Sequence, residues 1–378
     1  MTTKHPDAVP PTVLHVSQPT TDGVARYVTE LVRDQVARGW TVHVATPADA
    51  TLEGEIAGAG AIHHRWPARR APGLSTVLEV RGLAGIVRVV RPDVLHLHSS
   101  KAGLAGRLAV RGRRPTIFTP HAWSFLYGGG PTRQAARWWE RRAARWTTLV
   151  LCVSDAERLD GEANRIRAPF TVVHNGVDLE RFAPADDEAR AAARAAFECP
   201  LDAPVVVCAG RLTHQKGQDL LLGAWPTVRR ELPDARLLLA GDGPDADRLR
   251  ADAGTDRGVA FVGRVPDVRV VYAAADIVVA PSRWEGLSFA VLEGLACGRG
   301  VVATDVEGMR EAIGDGTDAG GVLVAPGDPV ALAAALVGVL RDRGRAEVLG
   351  ARARERAAAF ALPRSTAAVA ELTSGLVS

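Results

Sequence analysis

No stretch of this 378-residue chain reaches the roughly 18 apolar residues that a bilayer-spanning helix needs. Residues 1–11 are polar and Pro-rich, with none of the apolar run that a secretory leader carries. Cysteine is scarce: Cys152, Cys199, Cys208 and Cys297 lie far apart and form no Cys-x-x-Cys pair. That excludes a disulfide framework and reads as reduced thiols in a reducing compartment, with Cys152 and Cys208 buried inside apolar runs. The net charge is only +3, too little to imply a nucleic-acid partner. No Gly-x-Gly-x-x-Gly follows the first strand-like run, which argues against a dehydrogenase. His96 and His98 alternate with leucines and can share one strand face, but no third ligand has suitable spacing, so no metal site is expected. These absences point to a cytoplasmic protein, with peripheral attachment to the inner face of the membrane left open.

What is present is a regular alternation. Strand-like runs begin at Thr12, Thr41, Val94, Thr116, Leu149 and Thr171, with helical patterns between them. After a break at 175–182 and a linker at 183–188, a second series begins at Val205, Arg236, Val259, Ile277, Val301 and Val322. Alternating strands and helices predict parallel sheets covered on both faces. The expected architecture is α/β, with two Rossmann-like doubly wound domains, 1–182 and 183–362, whose strand ends face across a cleft. Pro363 interrupts the helical tail, and a last short helix is expected from Ser365 to Leu376.

The most informative stretch runs from Arg283 to Gly298. It leaves a short buried strand, turns into a helix near Ser288 and stops at Gly298. Glu285 then sits in a loop at a strand's carboxyl end, and Glu293 about a turn and a half into the helix. Gly286, Leu287 and Ser288 would present backbone N–H groups at the helix mouth, a natural anion site. One carboxylate for vicinal hydroxyls, one for a second ring and amides for the charge between them suit a nucleotide-sugar. Ala209–Gly217 ends another strand with two cations, Arg211 and Lys216, just before a helix, an environment that fits a diphosphate.

Glu285-Gly-Leu-Ser…Glu293, two glutamates eight positions apart, resembles the signature of the retaining family 4 glycosyltransferases. The family usually has Pro at Ser288, Ala at Gly294 and Pro at Gly300; neither Glu is touched by these differences. Arg211 and Lys216 match the family's phosphate-binding pair. The resemblance implies the GT-B fold, with the last helix, 363–378, packing back on the N-terminal domain. It implies a nucleobase contact near Arg264, largely through backbone, and a His close to the donor sugar at His121. It further implies a same-face attack in which the leaving phosphate helps deprotonate the acceptor.

Other residues remain open between two readings. Gly23 suits either close approach of phosphate or acceptor, or an ordinary turn. The family has Gly-Gly there, whereas this chain has Asp22-Gly23, and Asp22 could meet acceptor hydroxyls. Ser99, Ser100 and Lys101 are acceptor or phosphate contacts, or a capped helix start. Asp245 and Asp247 form an Asp-x-Asp, read here as the acidic opening of a helix.

Arginines cluster in the first half: Arg65, Arg69 and Arg70; then Arg107, Arg111, Arg113 and Arg114; then Arg133 to Arg145. The third group shares residues 134–146 with Trp138, Trp139 and Trp146, the composition of an interfacial helix and equally of a surface helix packing its Trp residues on a core.

The sequence therefore predicts a retaining hexosyl- or N-acetylhexosaminyltransferase. Glu293 is assigned to ribose, Arg211 and Lys216 to the diphosphate, Gly286–Ser288 and Glu285 to the sugar. The donor is a nucleotide-sugar and the acceptor a hydroxyl compound, lipid-linked or not. No cofactor is expected, and transfer should not need a metal. The rivals are a nucleotide-sugar epimerase or hydrolase on the same fold and a non-catalytic nucleotide-binding protein.

Overall fold

Seven parallel strands form the first sheet: β1 (Thr12–Ser17), β2 (Thr41–Thr46), β3 (Ile62–Arg65), β4 (Val94–His98), β5 (Thr116–Thr119), β6 (Leu149–Cys152) and β7 (Phe170–Val172). Their order is β3-β2-β1-β4-β5-β6-β7. Six more form the second: β8 (Val205–Ala209), β9 (Arg236–Ala240), β10 (Val259–Gly263), β11 (Ile277–Ala280), β12 (Gly300–Thr304) and β13 (Gly321–Val324). Their order is β10-β9-β8-β11-β12-β13. The structure is a computed structural model and describes residues 10–69, 71–126 and 129–377. Arg70 of the first arginine cluster and the start of the chain lie outside the described residues.

Each sheet reverses its winding once, between β1 and β4 and between β8 and β11. In an open parallel sheet such a point leaves a crevice at the carboxyl ends of the two strands. The central strands carry near-continuous apolar runs, as burial on both faces demands: β4 and β12 are buried along their whole length. Edge strand β3 escaped the sequence reading, because His63, His64 and Arg65 give it no apolar pattern and only β2 pairs with it.

The chain divides into two units, residues up to His174 with Arg364–Ser378, and Asn175–Pro363. The sequence reading had put 175–182 in the first domain. In the structure this segment packs within the second unit: Val177 N–H donates to the Phe360 carbonyl at 2.7 Å, and Phe182 is buried edge-on to Tyr272. The last helix, Leu362–Ser374, starts earlier than expected, because Pro363 falls in its first turn, where no N–H is needed. Ser365 Oγ donates to the His174 carbonyl at 2.7 Å and Thr366 Oγ1 to Asp34 at 3.1 Å, both within the first unit.

Candidate active site

In the second unit, the loops after β8 and β11 meet at the switch point. Gly217 is left-handed (φ 69°), and a Cβ there would lie 2.0 Å from the Pro281 carbonyl oxygen, so this close approach needs glycine. Arg283 N–H donates to Gln215 O at 2.8 Å, and Gln215 Nε2 to Trp284 O at 3.1 Å. The Arg283 guanidinium grips Asp219 with two bonds of 2.8 and 2.7 Å, which holds the Asp219 carboxyl below its ordinary range.

Stitched this way, the loops bring Lys216 Nζ onto the Glu285 carboxylate as an ion pair. Ser282 Oγ donates to the same carboxylate oxygen at 2.8 Å, and the Ser282 carbonyl accepts from Thr304 Oγ1. Glu285 is only 6% exposed, so this is a carboxylate held for a purpose rather than a solvated surface group. A narrow recess opens beside it, lined by Ala209, Lys216, Ala280, Ser282, Ser288 and Ala290. Cys208 lies against this recess, and burial pushes its thiol up to about 12. Arg211 is half-buried one residue past Gly210, its carbonyl accepting from Gln218 Nε2 at 2.9 Å.

The helix Phe289–Ala296 begins beyond this recess. Ser288 takes the extended conformation of an N-cap, but its hydroxyl makes no capping bond, contrary to the sequence expectation. Gly286, Leu287 and Ser288 are buried, and Asn175 Nδ2 donates to the Leu287 carbonyl at 2.7 Å. Glu293, 6% exposed, accepts from the Tyr272 hydroxyl at 2.7 Å. Gly294 stands where family members have Ala; a Cβ would meet Val278 Cγ2 at 2.9 Å. Arg264 is exposed at the end of edge strand β10, apart from these residues. Asp245 and Asp247 open the helix Ala246–Ala253 and pair with Arg248 and Arg250 on its surface.

Three further residues of this site carried no sequence signal. Glu307 accepts the Glu285 N–H at 2.9 Å from 22 residues away; Tyr272 orients Glu293 from 21 away; Ser282 holds Glu285. Only folding makes Glu307 and Tyr272 neighbours of this site.

In the first unit, the segments after β1, β4 and β5 hold the other predicted residues. Asp22, Ser99 and His121 all have positive φ, at 64°, 66° and 53°, an uncommon state for non-glycine residues. Gly23 follows in the first turn of the helix Asp22–Ala37, so the left-handed position expected of a glycine falls on the exposed Asp22 instead. Ser99 and Ser100 are half-buried at the start of the helix Ser99–Val110. Lys101 departs from the acceptor-contact reading. It is 4% exposed, and its ammonium pairs with Glu79 at 2.5 Å, donating also to Thr76 Oγ1 at 3.1 Å and Ala71 O at 3.3 Å. An acceptor would have to break a buried ion pair to use it.

His121 is half-buried, and its Nε2 lies 3.4 Å from His98 Nδ1. Burial lowers its pKa to about 3, keeping the imidazole neutral. Its left-handed backbone, continued at Ala122, is held by buried Glu157, whose carboxylate accepts from Ala122 N at 2.6 Å and Val153 N at 2.8 Å.

Trp139 and Trp146 pack at a tilt of 57°, with ring centroids 6.3 Å apart, and Arg107 lies over Trp139, while Trp138 is 65% exposed. Arg107, one of the second arginine cluster, is buried in an ion pair with Glu140 at 2.8 Å.

Two all-parallel units, each wound about a central switch point, make the architecture of the GT-B glycosyltransferases. The crystal structure of Anabaena HepE in complex with UDP and glucose matches with a TM-score of 0.84, at 21% identity, over 97% of this chain and all of that one. Sucrose-phosphate synthase from Thermosynechococcus elongatus matches at 0.81 and 22% identity, over 97% of this chain and 99% of that one. The chain belongs to glycosyltransferase family 4. The model of that description matches residues 21–181, and the model described as glycosyl transferases group 1 matches residues 203–342. The GDP-mannose-dependent monoacylated alpha-(1-6)-phosphatidylinositol monomannoside mannosyltransferase of Corynebacterium glutamicum is 30% identical over 89% of this chain and 90% of its own. The D-inositol 3-phosphate glycosyltransferase of Thermobispora bispora is 32% identical, over 77% and 73%. Among the described residues no helix is long and apolar enough to cross a membrane.

Proposed function

We propose that the protein transfers a sugar, with retention of configuration, from a nucleotide-sugar to a hydroxyl acceptor. The observation that carries this is the Lys216–Glu285 ion pair, built from two loops at the switch point of the second unit and held there by Ser282. A cation and a buried carboxylate at one recess suit a diphosphate joined to a polyol. Arg211 and Lys216 take the diphosphate, and the backbone amides of Gly286, Leu287 and Ser288 add the helix N-terminus, which Ser288 leaves without a side-chain cap. Glu293, steadied by Tyr272, accepts the two ribose hydroxyls. Glu285 holds a sugar hydroxyl and so orients the reacting carbon. Arg264 is the weakest member of the set, and any nucleobase contact there runs through backbone.

The acceptor side falls to the first unit: Asp22, Gly23, Ser99 and Ser100, with neutral His121 standing where the family has its histidine. The leaving phosphate, not a side-chain carboxylate, takes the acceptor proton on the face it departs from. The chain's work is then mainly electrostatic preorganisation. HepE has been crystallised with UDP and glucose, which supports a nucleotide-sugar as donor class here. A hexose or N-acetylhexosamine is the sugar we expect. The C. glutamicum relative acts on a phosphatidylinositol mannoside, and the exposed Trp138 on an arginine-rich helix supports a lipid-linked acceptor reached from an anionic membrane surface.

The test is a thermal-shift screen of nucleotide-sugars, followed by NMR of the first-formed product with the donor selected. A ligand at about 100 times its dissociation constant adds about 2.7 kcal/mol. The donor's anomeric configuration should be kept in the product. Inversion would reject the retaining mechanism. Release of free sugar or interconversion of donors, with no acceptor consumed, would favour the hydrolase or epimerase.

A further inference from the structure

We propose that His15, His96 and His98 form a binding site for one divalent transition-metal ion of the zinc class inside the first unit. The three come from two strands. Parallel pairing of β1 with β4 sets His15 beside His96, and the two-residue period of β4 puts His98 on the same face. All three side chains are fully buried, and one nitrogen from each lies within 4.8 Å of the others. His96 and His98 ring centroids are 4.0 Å apart.

The outer contacts are those a metal site needs. His15 Nε2 is 2.8 Å from Gln35 Oε1, which accepts its proton and leaves Nδ1 as a lone pair. His96 Nε2 is 2.9 Å from Thr119 Oγ1, and its Nδ1 is buried with no hydrogen-bond partner among the described residues. His98 Nδ1 faces His121 Nε2 at 3.4 Å. Each imidazole thus has an outer partner for one nitrogen while the other turns inward, the arrangement that orients ligating histidines. An orphaned buried nitrogen is costly, and coordination removes the cost.

Neutral imidazoles select zinc, cobalt, nickel or copper over magnesium and calcium, which prefer oxygen. For the His15–His98 pair the rearrangement required is small. His15 Nδ1 and His98 Nε2 are 3.0 Å apart and share a proton. Metal–nitrogen bonds of about 2.0–2.1 Å at a tetrahedral angle need about 3.3 Å between them. The proton moves from Nε2 to Nδ1 of His98, where His121 accepts it, so none leaves the protein. Three nitrogen ligands leave a position for a water. Binding therefore also sets which nitrogen of His121 carries a proton.

The full-length protein, stripped with chelator, is titrated with zinc by calorimetry and melted with and without one equivalent. It is then crystallised with cobalt and measured on either side of the cobalt edge. One ion per chain, a rise of several degrees in Tm and one anomalous peak bounded by the three side chains are expected. Thr119→Val should weaken binding about 10–100-fold, and His96→Leu should abolish it. Should His96→Leu fail to fold, the wild-type anomalous map decides alone. Water density and no anomalous peak at the trio would overturn the proposal. So would a peak confined to the half-buried His43–His64 pair, whose nitrogens are 2.8 Å apart. None of these readouts involves sugar transfer.

Discussion

A carboxylate is buried at a cost unless its lone pairs are used, and the Tyr272 hydroxyl donates to Glu293 at 2.7 Å. Ribose hydroxyls supply further donors when a nucleotide is bound. Glu293→Ala should therefore weaken binding of free nucleoside diphosphate by about 1.5–3 kcal/mol, ten- to hundredfold in dissociation constant, with the fold intact. Tyr272→Phe should lose less, because it removes only the orienting bond. Calorimetry with unchanged affinity in the Glu293 variant would remove it from the nucleotide site.

At the scale of the element, the turn after β5 matters most in the first unit. His121 and Ala122 have positive φ in succession, a strain of about 1–3 kcal/mol per residue that the surroundings must hold. Glu157 does so with one oxygen to Ala122 N and the other to Val153 N. Glu157→Gln replaces one acceptor with a donor, and each N–H left unpaired costs about 1–3 kcal/mol. Urea denaturation should show that loss; an unchanged midpoint would mean the turn is held by other contacts. The helix Gly130–Ala143 behaves differently. Its buried Glu140 anchors it through Arg107, while Trp138, Arg133 and Arg142 face solvent. Salt-sensitive flotation with anionic vesicles is expected, each surface Arg adding about 1 kcal/mol. Trp138→Ala should reduce it, and equal flotation with neutral vesicles would rule out the electrostatic part.

For the whole molecule, the question is what neutralises a leaving diphosphate. Asp245 and Asp247 are taken up in surface pairs at a helix start, whereas Lys216 stands in the switch-point recess of the second unit. Fixed cations and a helix N-terminus can replace a metal there without a ligand cage. With the histidine trio loaded, transfer should run at the same rate without added divalent ion as with excess magnesium, and Lys216→Ala should lower turnover far more than Asp247→Ala. Dependence on magnesium or manganese, with Asp247→Ala inactive, would move the phosphate site elsewhere.

The sequence by itself determined the periodicities and the punctuation. Apolar runs spaced by helical patterns define parallel sheets, and the resemblance carried by the Glu285…Glu293 motif brought the GT-B class within reach. Arg211, Lys216 and Glu285 in loops after central strands, and Glu293 on the helix that follows, could be singled out because the motif is local. Edge strand β3 was not, since pairing on one side leaves its His-rich sequence unconstrained. Tertiary structure decided everything that depends on distant segments meeting. It made Lys101, read as a ligand contact or part of a capped helix start, a buried partner of Glu79, and Arg107, one of a cluster of arginines, a buried partner of Glu140. It brought Tyr272 to Glu293 and Glu307 to the Glu285 amide. Above all, it set His15 beside His96 and His98. The spacing of two histidines along one strand can show a shared face, but a third ligand from another strand depends on register, and register is a property of the sheet.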